Sequence, residues 1–249
     1  MSLIQEELRM AKSHMFDPIP ETELVELSLK NVAKVEAMIQ NDSAYLKSSN
    51  KDACERGKYK GSTAYWMVQL KQILFGVESV VGEYADVLSN AIQAVDRDNS
   101  THLNADGVGR DELFDRIKNI PKSLLVEYLK HPKESKYHLI NVLSQATHPK
   151  DSKHKPRTNL SFASKFCHYA CFYLFEGEDE QDNYSIYDNV VLRVLPRYCD
   201  YYKVSKLRSL ARDYLTYQAT IDEIIKAAGG SISRNGFDHL LWYYFKGRD

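Results

Sequence analysis

The chain has little of what strand-rich, secreted or membrane proteins need. Its 249 residues include only 11 glycines and 7 prolines, so long stretches carry no turn signal, which favours helices over a many-stranded sandwich. No apolar run reaches the length of a membrane span, and the start shows no apolar signal-peptide core. The 4 cysteines do not form a disulfide framework in a chain this long. We therefore expect a cytoplasmic protein with reduced thiols and no contact with a membrane.

The chain also has no marked excess of positive or negative charge. The chain carries 33 lysines and arginines against 34 acidic residues, a net charge of -1. This balance neither favours nor excludes nucleic acid, because binding to DNA needs positive charge that is gathered locally. The 43% of hydrophobic residues and the 27% of charged residues are those of an ordinary globular protein.

Helical periodicity dominates what is present, because apolar residues recur at three- and four-residue spacings. Helices are predicted over residues 21–39, 64–75, 77–95, 110–118, 122–131, 136–146, 160–175, 188–202, 205–227 and 234–246. Gly229 and Gly230 are expected to stop one helix, and Ser233 or Asn235 to cap the next. The prediction is an all-α protein with a soft boundary near residue 130, which separates a region 1–130 from a region 131–249.

Two patterns suggest metal ligands but are incomplete. Asp96 and Asp98 resemble the start of a calcium-binding loop, yet the twelfth position is Gly107 instead of glutamate. We expect a solvated loop from Asp96 to Gly109. Cys167, His168 and Cys171 lie within five residues, but no further ligands follow at a zinc spacing, and buried cysteines usually serve as small apolar side chains. No metal site and no cofactor are predicted.

The most informative stretch reads NLSFASKFCHYACFYLFEGEDEQDNYSIYDNVVLRVLP. Small residues at Ser161, Ala163 and Ser164 lead into Lys165 and an aromatic-rich helix. An acidic loop follows, and Asp188 then introduces a second apolar helix.

This stretch resembles the helix-hairpin-helix DNA glycosylase superfamily, and within it the 8-oxoguanine DNA glycosylase-like branch. That family has a Gly-x-Gly-x-Lys hairpin, a following helix and a Val-Asp-x-x-Val segment. Here Ser161-Phe162-Ala163-Ser164-Lys165 stands in place of the hairpin and its lysine, and Ile186-Tyr187-Asp188-Asn189-Val190 in place of the aspartate segment. Both hairpin glycines are replaced, and an acidic insert lengthens the spacing. The resemblance implies a two-lobed helical protein with a helix-hairpin-helix element between the lobes.

The resemblance also implies a catalytic pair. A carboxylate, Asp188, would stabilise the positive charge that develops on the sugar as the glycosidic bond breaks. Lys165 would attack the sugar carbon and hold the product as a Schiff base. A nucleophilic lysine must be neutral for part of the time, and we expect the positive end of its helix to lower its pKa. Taken singly, Asp188 fits an N-cap, and a lone lysine such as Lys165 is more often a solvated surface residue than a nucleophile.

Basic residues flank this pair, as contacts with phosphates require. The predicted DNA-binding residues are Lys150, Lys153, Lys155, Arg157, Ser161, Ala163, Ser164 and Arg193. Arg197, Lys203, Lys206 and Arg208 extend the second basic cluster. A flipped base needs aromatic faces and a few polar groups, for which the candidates are Phe166, His168, Tyr169, Tyr187, Asp238 and Trp242.

Three functions stay open at this point. The first is a DNA glycosylase/AP lyase that acts on double-stranded DNA without an obligate protein partner, with an oxidised purine as the base that the resemblance implies. The second is a non-catalytic DNA-binding module of the same fold. The third is a helical interaction protein that binds no nucleic acid.

Overall fold

The structure is a computed structural model that describes residues 24–41, 61–76, 82–99, 101, 103, 109–147, 158–205 and 213–245. Within these ranges the regular structure is helical and no strand occurs, which confirms the all-α prediction. The helices are α1 (Leu29–Asn41), α2 (Thr63–Leu74), α3 (Tyr84–Asp98), α4 (Gly109–Lys118), α5 (Lys122–Lys130), α6 (His138–Ser144), α7 (Leu160–Leu174), α8 (Asn189–Tyr202), α9 (Tyr214–Ala227) and α10 (Arg234–Phe245). No helix among them is long and apolar enough to cross a membrane.

Most predicted helix ends agree with the structure, but α1, α3 and α9 begin later than predicted, α3 at Tyr84 instead of residue 77 and α9 at Tyr214 instead of residue 205. Helix α1 begins at Leu29 instead of residue 21, because the hydroxyl of Ser28 accepts from the Asn31 N–H at 3.4 Å and its carbonyl accepts from Val32 at 3.0 Å. Helix α3 continues through Asp98, so the loop predicted from Asp96 starts three residues too early. Asp96 is buried, which corrects its expected exposure to solvent.

Helix α9 ends as predicted. Gly229 and Gly230 have φ angles of 108° and 66°, a left-handed conformation that glycine adopts without steric cost. The N–H of Gly230 reaches back to the carbonyl of Ile225 at 2.8 Å. The hydroxyl of Ser233 then accepts from the Gly236 N–H at 3.0 Å, so Ser233 caps α10 and the alternative, Asn235, lies inside the helix.

The chain divides into two compact units. The smaller unit comprises Met1–Arg56, Asp188–Leu210 and Ala219–Asp249, and the larger unit comprises Gly57–Tyr187 and Ala211–Gln218. The boundary predicted near residue 130 falls inside the larger unit, because α5 and α7 pack against each other on either side of it. Among the described residues, the units divide between Tyr187 and Asp188 and within α9.

In the smaller unit, helix α10 packs against both α1 and α8. Gly236 allows the close approach to α1, since a Cβ there would lie 3.1 Å from a methyl group of Val32. The buried Tyr198 of α8 donates a hydrogen bond to the carbonyl of Val25 at 2.8 Å. This unit therefore has a core of its own, and its α8 begins at the candidate residue Asp188.

In the larger unit, helix α7 is the central element and packs against α2, α3, α5 and α6. Its buried residues lie on several faces and include Phe162, Phe166, Cys167, Cys171 and Leu174. A helix that is apolar nearly all round is one that its neighbours surround. The candidate residue Lys165 is thus carried by the most enclosed helix of its unit.

Candidate functional site

The segment predicted to form the hairpin loop is helical in the structure. Residues 161–164 belong to the first turns of α7, where the Asn159 carbonyl accepts from the Ala163 N–H at 2.8 Å. Serine and alanine suit these positions, because glycine inside a helix loses more backbone entropy than alanine does. Ala163 and Ser164 are fully buried, so in this conformation their side chains cannot reach a phosphate. Residues 148–157, which precede the segment and include Lys150, Lys153, Lys155 and Arg157, lie outside the described residues.

Lys165 lies in a different electrostatic setting from the one expected. It is the sixth residue of α7, past the first turn, where the positive end of a helix acts most strongly. Its partly buried side chain donates from Nζ to the backbone carbonyl of Asn99 at 3.2 Å. Asn99 is the C-cap of α3, so the amine lies at the negative end of a neighbouring helix. The structure thus corrects the expectation that helix charge disfavours the ammonium form of Lys165.

Asn99 is itself held by several hydrogen bonds. Its backbone N–H and its side-chain Nδ2 both donate to the carbonyl of Val95, at 3.2 Å and 3.0 Å. Its Oδ1 accepts from the hydroxyl of Tyr169 at 2.9 Å. Tyr169 and Lys165 are four residues apart and therefore share one face of α7. One face of α7 thus contacts both the carbonyl and the side chain of Asn99.

The last turn of α3 also carries a charged network around Asp96. One carboxylate oxygen accepts from the Thr101 hydroxyl at 2.6 Å and from the Leu103 N–H at 3.0 Å. The other accepts from Arg110 Nε at 2.9 Å and forms an ion pair with its Nη2 at 2.8 Å. Burial raises the pKa of Asp96, but these donors and the Arg110 charge outweigh it, so the pKa lies below its ordinary value. Asp96 therefore connects Thr101 and Leu103, which follow α3, to Arg110 at the start of α4.

The segment before Asp188 has no regular secondary structure, and side chains of α9 bind its backbone. The carbonyls of Asn183 and Ser185 accept from Gln218 Nε2 and from the Tyr214 hydroxyl, each at 2.8 Å. The carbonyl of Ile186 accepts from the hydroxyl of Tyr217. Gln218 Oε1 also accepts from the Ser185 N–H at 3.3 Å. Because no strand among the described residues pairs with this segment, these side chains provide partners that its backbone needs.

A further hydrogen bond joins this segment to α7. The N–H of Tyr187 donates to the hydroxyl oxygen of Ser164 at 3.0 Å. Ser164 and Tyr187 are the residues that immediately precede Lys165 and Asp188 in the chain. Ser164 also donates to the carbonyl of Ser161 at 3.0 Å, so its position is fixed from both sides.

Asp188 is the N-cap of α8. Its Oδ1 accepts from the Val191 N–H at 2.9 Å, and its carbonyl accepts from the Leu192 N–H at 3.0 Å. The interpretation of Asp188 as a cap is thereby confirmed. The cap holds its carboxylate in one orientation at the positive end of α8. A structural role and a role as a fixed negative charge are compatible at this position.

The candidate base-pocket residues of the larger unit differ in exposure. Phe166 and His168 are buried, the first stacked on Phe162 at 5.9 Å and the second with Nδ1 2.9 Å from the Tyr184 carbonyl. In this conformation neither ring presents a face to a ligand. Tyr169 and Tyr187 are partly exposed and remain the aromatic side chains of this set that a ligand could reach.

The candidates of the smaller unit lie on α8 and α10. Asp238 is buried, and the indole of Trp242 is partly exposed, 6.4 Å from the ring of Tyr243. Arg193 donates from Nη2 to the carbonyl of Phe245 at 2.7 Å, and the Arg197 guanidinium lies 5.6 Å from the Phe245 ring. Arg193 therefore binds the last described turn of α10, and Lys206 and Arg208 lie outside the described residues.

The cysteine cluster of α7 shows no sign of metal chemistry in the described ranges, where no group of three or more histidine, cysteine or acidic side chains could hold a metal ion. Burial raises the pKa values of the Cys167 and Cys171 thiols well above their usual range. Thiols of this kind are poor nucleophiles and pack as apolar groups.

Several residues that shape this site carried no usable sequence signal. Asn99 lies at the end of a helix far along the chain from Lys165. Tyr214, Tyr217 and Gln218 share a helix face by their spacing, but this spacing is equally typical of core residues. Only knowledge of which segment α9 packs against reveals that they bind the backbone before Asp188.

Comparison with known proteins adds no further assignment: no protein-family model, no curated protein and no solved structure matches the chain.

Proposed function

We propose that the chain is a DNA glycosylase/AP lyase that excises a damaged or modified base from double-stranded DNA, with an oxidised purine as the favoured base. Lys165 is the nucleophile and Asp188 the carboxylate that stabilises the positive charge of the sugar. The proposal derives from the resemblance of residues 159–196 to the helix-hairpin-helix glycosylases. One structural observation supports it above the others, namely the hydrogen bond between Ser164 and Tyr187.

That hydrogen bond matters because a two-residue mechanism needs both groups presented from fixed backbone. Ser164 is fixed within α7, and Tyr187 belongs to the segment that Tyr214, Tyr217 and Gln218 hold. The N-cap bond of Asp188 then orients its carboxylate. Lys165 therefore follows directly on Ser164, and Asp188 on Tyr187, the two residues that this hydrogen bond joins.

The chemistry proceeds in two steps. The Lys165 nitrogen forms a bond to the C1′ carbon of the sugar, while the bond from C1′ to the base breaks and its electron pair leaves with the base, which takes up a proton. Loss of the amine proton and opening of the sugar ring, whose oxygen is protonated, then give the Schiff base. Asp188 lowers the barrier by opposing the positive charge that develops on the sugar in the first step.

The test is borohydride trapping on duplexes that carry oxidised, deaminated or abasic sites. The wild type is expected to form a covalent adduct, because borohydride reduces the Schiff base to a stable amine. Lys165→Gln should abolish it. Lys71→Gln is the matched control, since Lys71 is also partly buried on a helix of the larger unit. The absence of an adduct on every duplex, abasic sites included, would contradict the proposal.

Asp188→Asn separates the charge of Asp188 from its cap. Asparagine is as good an N-cap as aspartate, so the variant should fold and melt like the wild type. Adduct formation on base-containing duplexes should fall by about 100-fold, the scale for loss of one charge-stabilising group. On abasic duplexes it should change far less, because no base has to leave. Equal losses on both substrates would contradict a role for the carboxylate in base removal.

A further inference from the structure

We propose that Asn99 restrains the nucleophile. The ammonium group of Lys165 donates a hydrogen bond to the Asn99 carbonyl at the end of α3, and this bond has to break before the lysine can attack. Tyr169 is the positioning residue that sets how firmly Lys165 is held there. This inference rests on the proposed function, since it concerns the regulation of the same lysine. We call the hydrogen bond from Lys165 Nζ to the Asn99 carbonyl, 3.2 Å long, the Asn99 contact.

The Asn99 contact favours the form of lysine that cannot react. An ammonium group has three N–H donors and no lone pair, whereas the nucleophile is the neutral amine. The last carbonyls of a helix lack intrahelical partners and carry the negative end of its dipole, so they bind cations. Placed at the C-cap of α3, the nitrogen of Lys165 is therefore stabilised as a donor and kept from acting as a nucleophile.

The carboxylates nearest in the sequence to Asn99 have other partners. Asp96 binds Thr101, Leu103 and Arg110. Asp98 accepts from the backbone N–H and the hydroxyl of Thr63, each at 2.9 Å, and forms an ion pair with Arg97 at 2.8 Å. The Asn99 contact itself is made to a backbone carbonyl, which is a weaker partner for an ammonium group than a carboxylate is. A bond of this strength can be broken when a substrate binds.

Tyr169 controls the contact through the Asn99 side chain. The Tyr169 hydroxyl donates a hydrogen bond to Asn99 Oδ1 at 2.9 Å, and Asn99 Nδ2 donates to the Val95 carbonyl at 3.0 Å. Together these bonds fix the residue whose carbonyl accepts from Lys165. Removal of the hydroxyl alone, in Tyr169→Phe, leaves the ring and its packing in place while it frees Asn99 to turn. The variant should therefore weaken the Asn99 contact without unfolding the unit.

The first measurement needs no DNA. The intact protein is treated with an acetylating ester at neutral pH, and the acetylation rate of each lysine is followed by peptide mass spectrometry. Lys165 should react about threefold to tenfold faster in Tyr169→Phe, because part of a hydrogen bond to a charged group is lost. Lys71 in the same samples is the internal reference. Tyr184→Phe is the matched variant, since it loses a hydroxyl bond of 2.7 Å to the Tyr128 carbonyl and leaves Asn99 unchanged.

The second measurement is the rate of borohydride trapping at saturating abasic duplex. Tyr169→Phe should trap faster than the wild type, a gain that damage to the fold would not produce. Equal acetylation of Lys165 in the wild type and Tyr169→Phe, or an equal increase in Tyr184→Phe, would overturn the inference. Faster acetylation of Lys165 without an adduct in any variant would uphold the Asn99 contact and contradict the proposed function instead.

Discussion

Side chains bind the backbone of two stretches of the larger unit, the end of α3 and the segment 183–187. The partners at the end of α3 are charged, whereas those of the segment 183–187 are neutral. At the end of α3, the charged groups of Asp96 and Arg110 connect the backbone of Leu103 to the start of α4. In the segment 183–187, neutral hydroxyls and an amide from Tyr214, Tyr217 and Gln218 bind successive backbone groups. The end of α3 therefore depends on a single buried charge, whereas the segment 183–187 depends on several smaller, independent bonds.

The largest effect is expected from removal of that charge. Asp96→Ala should lower the free energy of unfolding by about 3 kcal/mol, because it leaves Arg110 without its ion pair and Leu103 N–H without an acceptor. The measurement is urea denaturation at pH 7 followed by circular dichroism.

Asp115→Ala is the matched control for this prediction. Asp115 is an exposed residue in the middle of α4, and its replacement should change the stability by less than about 0.5 kcal/mol. If Asp96→Ala proved as mild as Asp115→Ala, the end of α3 would not depend on the Asp96 charge.

A smaller effect is expected from each single bond to the segment 183–187. Tyr217→Phe should cost about 1 kcal/mol, since the carbonyl of Ile186 loses its donor while the ring stays in place. Tyr214→Phe should cost a similar amount for the carbonyl of Ser185. The same urea denaturation measures both, and amide hydrogen exchange at Ser185 and Tyr187 should become faster in each variant.

Tyr201→Phe serves as the control here, because Tyr201 is exposed and its hydroxyl should contribute nothing measurable. If Tyr217→Phe lowered the free energy of unfolding as much as Asp96→Ala does, the segment 183–187 would also depend on one dominant bond. That result would contradict the difference between the two stretches.

The contrast also explains what the sequence could predict. Helix positions follow from apolar spacing, and caps such as Ser233 and Asp188 follow from the residue type next to that spacing. Periodicity describes which face of a helix is buried, but it does not say which distant backbone a side chain meets there. The partners of Asp96 and of Tyr217 belong to other segments, so no local pattern contains them.

Lys165 illustrates the same limit at the candidate site. Its place near the start of a helix predicts a positive surrounding, because the local chain is all that a sequence pattern describes. The structure places its amine at the carbonyl end of α3, where the dipole of this neighbouring helix is negative. Residue type and order select Lys165 and Asp188 only as candidates, and the electrostatic setting of Lys165 depends on packing.

The smallest expected effect is a difference between the two stretches in how their contribution to the free energy of unfolding depends on pH. Because the pKa of Asp96 is lowered in the folded state, its contribution is fully present above the ordinary aspartate pKa of about 3.9 and is lost as the pH falls through the folded value. The difference in unfolding free energy between the wild type and Asp96→Asn should therefore be constant from about pH 5 to pH 8 and shrink below about pH 4. The Glu36–His239 ion pair of the smaller unit also lowers a carboxyl pKa, but it is present in both proteins and cancels. For Tyr217→Phe, whose lost bond involves no group that titrates in acid, the same difference should not change down to pH 3. If the two differences fell together on acidification, the charge of Asp96 would not be what distinguishes the end of α3 from the segment 183–187.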